Sequence, residues 1–362
     1  LNPVVMSKLY PVGVQNFEKV ILGGYEYVDK TALIYQLFNT GSYYFLSRPR
    51  RFGKSLLLST LEAYAQGKKE LFKGLALEKL EKDWTVYPVL HLDLNTQKYD
   101  TPESLTSILN DNLCIWESRY GARESETSLS LRFQGIIRRA CEQTGRRVVI
   151  LIDEYDKPML QAIGNEALQN EYRSTLKAFY GALKSMDGCI RFSLLTGVTK
   201  FGKVSVFSDL NNLMDISMDD RYVEICGISK KEIHTYFEED IHVLATAAGL
   251  TYEETCAELK SNYDGYHFTE NAVGMYNPFS LLNTFAKKKF GSYWFETGTP
   301  TYLVELLKLH HYPIEELEHI VTSQPVLDSI DTASTDPIPV IYQSGYLTIK
   351  GYNKMFENYT LG

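Results

Sequence analysis

Five aliphatic residues in a row, Val148-Val149-Ile150-Leu151-Ile152, run without a polar break into two acids, Asp153-Glu154. A strand that is apolar on both faces must be covered on both faces, as happens in a parallel sheet flanked by helices. Other stretches agree with that constraint. Tyr43-Tyr44-Phe45-Leu46 reads as a second buried strand, residues 88–94 as a third, 191–195 as a fourth and 222–226 as a fifth. Helical patterns lie between them, over 55–65 with a stop at Gly67, over 102–120, and over 128–144 with a stop at Gly145. Strands separated by helices predict a doubly wound, parallel α/β sheet.

Beyond Gly227 the texture changes. Ser229 with Glu232, and Thr251 with Glu254, form capping boxes before a helix over 233–248 and a shorter one after it. Asn277-Pro278 and Thr299-Pro300 open helices over 279–288 and 302–309. Residues 340–349 read as a hairpin or paired strands. The expected division is an α/β domain with an N-terminal extension over 1–227, and a mostly helical region with a small β element over 228–362.

Two motifs carry chemistry. Arg48-Pro49-Arg50-Arg51-Phe52-Gly53-Lys54-Ser55 lies between a strand and a helix. A loop there can turn its N–H groups and the helix N-terminus toward a phosphate. Arg50, Arg51, Phe52, Gly53, Lys54, Ser55 and Leu56 are the candidate ATP-binding residues. Lys54 supplies the cation for the β- and γ-phosphates and Ser55 a hydroxyl for Mg²⁺. Arg48 stands where the usual loop has its first glycine. The second motif is the acid pair at the end of the central strand, a Walker B arrangement. Asp153 can join Ser55 in holding Mg²⁺, and Glu154 can position or deprotonate the attacking water. The competing role for the pair is to cap the next helix.

After the fourth strand, Thr196, Thr199 and Lys200 are candidates to sense the γ-phosphate or the water, with a plain turn at Gly197 as the alternative. Thr199 joins Lys54 and Glu154 in the expected catalytic set. Tyr27-Val28-Asp29-Lys30-Thr31 can line an adenine pocket or start a helix, and Asp93 can stand behind the magnesium or simply end a strand. Arg138-Arg139 and Arg146-Arg147 are candidates for a finger acting on a neighbouring copy in a homo-oligomer, or for helix-end solvation. His267 reads as part of a packed turn.

Composition narrows the rest. The 362 residues carry 37 Lys and Arg against 45 Asp and Glu, a net charge of −8, so no domain-wide basic field exists for nucleic acid. No apolar run reaches the roughly 18 residues of a membrane span. Five scattered cysteines without a CxxC pair argue for reduced thiols in a cytoplasm, and seven histidines without ligand spacing argue against structural zinc.

These motifs together resemble the bacterial AAA-ATPase-like family. The likeness rests on the Arg-Pro-Arg-Arg-Phe-Gly-Lys-Ser loop, Tyr27 to Thr31, Leu151-Ile152-Asp153-Glu154-Tyr155-Asp156-Lys157-Pro158 and Leu195-Thr196-Gly197-Val198-Thr199-Lys200-Phe201. It extends through Tyr263-Asp264-Gly265-Tyr266-His267-Phe268, Tyr293-Trp294-Phe295-Glu296-Thr297-Gly298-Thr299-Pro300 and Gln343-Ser344-Gly345-Tyr346-Leu347-Thr348-Ile349, so it covers nearly all of the chain. The resemblance implies an additional-strand, AAA/STAND-like P-loop NTPase fold followed by a helical, winged-helix-like region. It implies a loop in which Arg48 is a family trait. It also implies a PD-(D/E)XK nuclease-like domain beyond residue 362, and nucleic acid only indirectly, through that domain. The expected activity is Mg-dependent ATP hydrolysis coupled to movement of the helical region. The alternative is a nucleotide-gated scaffold with little turnover.

Overall fold

The computed structural model describes residues 8–271, 273–328 and 336–362. Its central sheet is built from β1 (Tyr43–Ser47), β2 (Val89–Asp93), β3 (Val148–Asp153), β4 (Ile190–Gly197) and β5 (Met214–Asp215). All pair in parallel, in the order β2-β3-β4-β1-β5. The uninterrupted apolar run of β3 is buried along its whole length. Its residues alternate between two cores. Val149 and Leu151 pack with Leu57, Leu58 and Leu61 of the helix Lys54–Ala65 and with Ile34 and Leu37 of the helix Thr31–Thr40. Val148, Ile150 and Ile152 pack on the other side with the helices Pro102–Tyr120, Leu129–Thr144 and Glu166–Ser185. There Phe133 and Phe179 stack with ring centroids 4.4 Å apart. Each such buried side chain contributes about 1.5–3 kcal/mol. The result is a doubly wound sheet that fits a P-loop-like α/β fold.

Three local expectations need correction. Residues 222–226 are not a strand: Asp220–Ile225 is a 3₁₀ turn, and the edge strand is β5. The Asp219 side chain accepts a hydrogen bond from the Arg221 N–H, and a local bond of this kind competes with a sheet ladder. Residues 340–349 are not a hairpin either. Ile338–Gln343 is a helix, favoured by Pro339 in its first turn and by Asp336, which accepts from the Ile338 N–H. The chain then turns at Gly345 (φ +88°) before the next strand. The helix expected over 233–248 is interrupted at the fully buried Phe237, giving Lys230–Tyr236 and Glu238–Ala248.

After residue 227 the chain adds helices and two small sheets. One combines β6 (Ile228–Ser229), β7 (Asp264–Tyr266) and β8 (Met275–Tyr276), and the other β9 (Ile320–Ser323), β10 (Ile349–Asn353) and β11 (Asn358–Leu361). Ile233, Phe237, Ile241, Leu259, Leu281 and Phe285 form a third core. Leu303, Leu306, Val340 and Ile341 instead join the core on the β3 Ile150 side. This brings the segment around residue 300 over the carboxyl edge of the sheet.

Candidate functional site

Ligands in open α/β sheets bind outside the carboxyl ends of the strands. That edge here carries Asp93 directly beside Asp153, and Ser47 directly beside Gly197. The loop after β1 then leads into the helix Lys54–Ala65 through Gly53, whose φ of +94° only glycine adopts without strain. A Cβ at Gly53 would meet nothing within 4 Å, so the backbone dihedral alone demands the glycine.

Lys54 is almost entirely buried. Its Nζ donates to the carbonyls of Arg48 (2.9 Å) and Pro49 (3.1 Å) and lies 3.3 Å from Glu154 Oε1. Ser55 Oγ donates to Asp153 Oδ2 at 2.5 Å, and Thr196 Oγ1 donates to Asp153 Oδ1 at 2.8 Å. Glu154, directly after the strand, has a left-handed backbone (φ 55°). Burial pushes its carboxyl up to about 7; Lys54 opposes this, while Asp156 and Asp153 add to it. A carboxyl poised there is suited to proton transfer near neutral pH.

The site faces a cavity of about 850 Å³, within the usual size range of small-molecule and cofactor sites. Arg50, Arg51, Phe52, Gly53, Lys54, Ser55 and Leu56 all contribute to its wall, together with Glu154. Their side chains diverge, however. Arg50 donates to the Gly298 carbonyl at 2.7 Å, and Arg51 sits 5.0 Å from the Phe279 ring centre. The Phe52 ring points into the core, edge-on to Tyr266 and Phe268. Thr199 is fully buried and outside this wall: its Oγ1 and N–H both donate to Asp156 Oδ2 at 2.7 Å. Lys200 is likewise turned away, paired with Asp215 and Asp328. Arg139 forms a buried pair with Glu126 at 2.6 Å, whereas Arg146 and Arg147 are exposed.

Some cavity residues were not foreseen. Lys157, Thr301, Tyr302 and Glu305 line it, and Trp294 Nε1 donates to the Arg50 carbonyl at 3.1 Å. Thr299-Pro300 announces a helix start, but nothing in its spacing says which site that helix reaches. A neighbouring cavity of about 90 Å³ touches Tyr27, Val28 and Lys30 together with Gly53 and Phe237. Asp29 is occupied in capping, accepting from Thr31 N–H and Oγ1 and from the Ala76 N–H.

The donor set at Ser55 and Asp153, a hydroxyl and a carboxylate with no nitrogen or sulfur, suits a hard cation such as Mg²⁺, which needs only one or two protein carboxylates beside phosphates and water. Among the described residues no group of three or more His, Cys, Asp or Glu could hold a metal alone, and no helix is long and apolar enough to cross a membrane.

A family model described as Predicted AAA-ATPase matches residues 11–207, more than half of the chain. The chain belongs to this AAA-ATPase-like family. Membership implies use of a nucleotide, and the matched range includes the 48–55 loop, Asp153-Glu154 and Thr199. A protein of Azotobacter chroococcum mcd 1, named only as an uncharacterized protein in the vnfD 5' region, is 39% identical over 344 residues. That match covers 94% of this chain and 64% of the Azotobacter protein, so the chain spans less than two thirds of its relative's length. No solved structure matches the chain.

Proposed function

We propose that this AAA-ATPase-like protein binds ATP with Mg²⁺ and hydrolyses it. The observation that carries the reading is the meeting of Ser55 Oγ and Asp153 Oδ2 at 2.5 Å, which joins the loop hydroxyl to the strand-end acid beside Lys54 and Glu154. Ser55 and Asp153 would hold Mg²⁺, whose charge would neutralise the phosphate oxygens. Lys54 moves off the Arg48 and Pro49 carbonyls onto the β- and γ-phosphates. Glu154, freed from that pairing, orients the attacking water and takes its proton. Thr196 holds the Asp153 carboxylate from behind. Thr199, earlier a catalytic candidate, acts through Asp156 by fixing the turn after β4 against the turn after β3.

Hydrolysis would move the helical, winged-helix-like region through Arg50 and Arg51, whose contacts with Gly298 and Phe279 span the two parts. We place the protein in the cytoplasm, acting as a homo-oligomer and on a nuclease-like domain, with any nucleic-acid contact made by that domain. A nucleotide-gated scaffold is the second reading, favoured by the Lys54–Glu154 pairing that ATP has to break. Phosphate release from Mg-ATP decides between them. Turnover lost in both Lys54→Ala and Glu154→Gln, with ATP still bound by Glu154→Gln, supports the ATPase. Tight, Lys54-dependent binding without turnover in the unaltered chain supports the scaffold, and no binding removes both.

A further inference from the structure

Arg48, at the head of the same loop, is 1% exposed, yet among the described residues it forms no ion pair, and Asp215 acts on it only through its charge. Its Nη1 donates to the carbonyls of Ser47 (3.0 Å) and Ser217 (2.7 Å). The guanidinium lies 4.0 Å over the Phe268 ring. Its Nε and Nη2 are shielded from solvent and have no hydrogen-bond partner among the described residues. A buried guanidinium with unfilled donors is costly unless something with negative charge reaches it.

Beside it lies a cavity of about 20 Å³, lined by Ser47, Pro49, Lys200, Ser217, Phe268 and Gln343. The charges around it do not cancel. Lys200 pairs with Asp215 (2.9 Å) and with Asp328, and Lys203 also pairs with Asp215 (2.6 Å). Among the described residues this network sets three cations, Arg48 included, against two carboxylates, and Asp215, whose charge also reaches Arg48, is shared among all three.

We propose that this cavity is a binding site for one small monovalent inorganic anion of the chloride class, held by the Nε–H and Nη2–H groups of Arg48. The space is about that of a single water, too small for phosphate, sulfate or a carboxylate metabolite. A water would fill the N–H groups without answering the charge. The ion sits where two parts of the chain meet: Ser47 comes from β1 and Ser217 from the turn after β5, Phe268 and Gln343 from the region after residue 227. Because the Arg48 carbonyl accepts from Lys54 Nζ, an occupied site also steadies the point on which Lys54 rests. This inference does not depend on the ATPase reading.

The test is thermal unfolding of the full chain in potassium gluconate, replaced stepwise by chloride or bromide at constant ionic strength. A saturating rise in Tm of about 3 °C is expected in either halide. Sulfate at matched ionic strength should give no saturating step, and Arg48→Gln should abolish the halide response. Crystals of the unaltered chain grown in bromide give a readout that does not depend on the variant folding: an anomalous peak within hydrogen-bond distance of Arg48 Nε and Nη2. Equal melting in chloride and gluconate, a rise that persists in Arg48→Gln, or bromide crystals with no peak at Arg48 each overturns the proposal.

Discussion

Lys54 Nζ stands 3.3 Å from Glu154 Oε1, so the cation proposed for phosphate is held against the acid proposed for water. Lys54 therefore bears on the charge state of Glu154. Burial raises the Glu154 carboxyl to about 7 and Lys54 is the main group opposing that rise. In Lys54→Ala without nucleotide or metal, the Glu154 carboxyl should titrate above 7. Carbon-13 NMR of labelled glutamate, with Glu154→Gln to assign the signal, measures this. A carboxyl that titrates lower in Lys54→Ala would mean the pair does not form in solution.

Asp156 is fully buried and its carboxylate accepts from the Val198 N–H and from the N–H and Oγ1 of Thr199. Thr199→Val deletes the hydroxyl donor and should lower unfolding free energy by about 1–3 kcal/mol, while Thr199→Ser should retain most of it. Urea unfolding measures the loss. Turnover per folded molecule should fall less than about threefold, since the hydroxyl faces Asp156 and not the cavity. A hundredfold loss of turnover with unchanged stability would assign Thr199 to the reaction itself.

Two glycines on either side of Phe52 make a matched pair of tests. A Cβ on Gly227 (φ +91°) would stand 2.6 Å from Phe52 Cε1, whereas one on Gly53 (φ +94°) would stand in open space. Both alanine variants carry the strain of a left-handed backbone, about 1–3 kcal/mol. Gly227→Ala adds the displacement of a core ring and should melt lower than Gly53→Ala. Differential scanning calorimetry compares them, and equal melting temperatures would mean the Phe52 ring yields freely.

His91 Nδ1 lies 2.7 Å from Glu62 Oε2 on the edge of the sheet. Burial works against the protonated ring, but the hydrogen bond and charge of Glu62, aided by Asp153 and Asp93, raise its pKa above the usual value. A raised histidine contributes stability that is complete below its unfolded pKa, about 6.5, and is lost as pH rises through its higher folded pKa. The melting temperature should therefore fall from pH 6 to pH 8 more steeply in the unaltered protein than in Glu62→Gln. Parallel curves for the two would dismiss the ion pair.

The sheet and the Ser55–Asp153 meeting were legible in the sequence because each depends on short-range pattern. An aliphatic run ending in acids, and a Gly-Lys-Ser between strand and helix, specify both their own geometry and which sheet edge they share. The edge strand was misplaced because Tyr222, Val223 and Ile225 are buried whether they form a strand or a 3₁₀ turn. Composition cannot separate the two when a local cap decides. The orientation of Thr199 was equally hidden, since it follows from where Asp156 points. The far wall of the cavity, from Pro278 to Glu305, depends on packing between residues more than 200 positions apart, which no periodicity encodes.

The distance along the chain between the two walls has a consequence during synthesis. Lys54 precedes Tyr302 by 248 residues, yet both face one cavity. At ribosomal rates of about 5–20 residues per second, roughly 12–50 seconds separate their emergence. Through that interval Arg50 lacks the Gly298 carbonyl and Arg51 lacks, for nearly as long, the Phe279 ring. The nascent loop is thus open to dissolved anions well before the segment that roofs it has been translated.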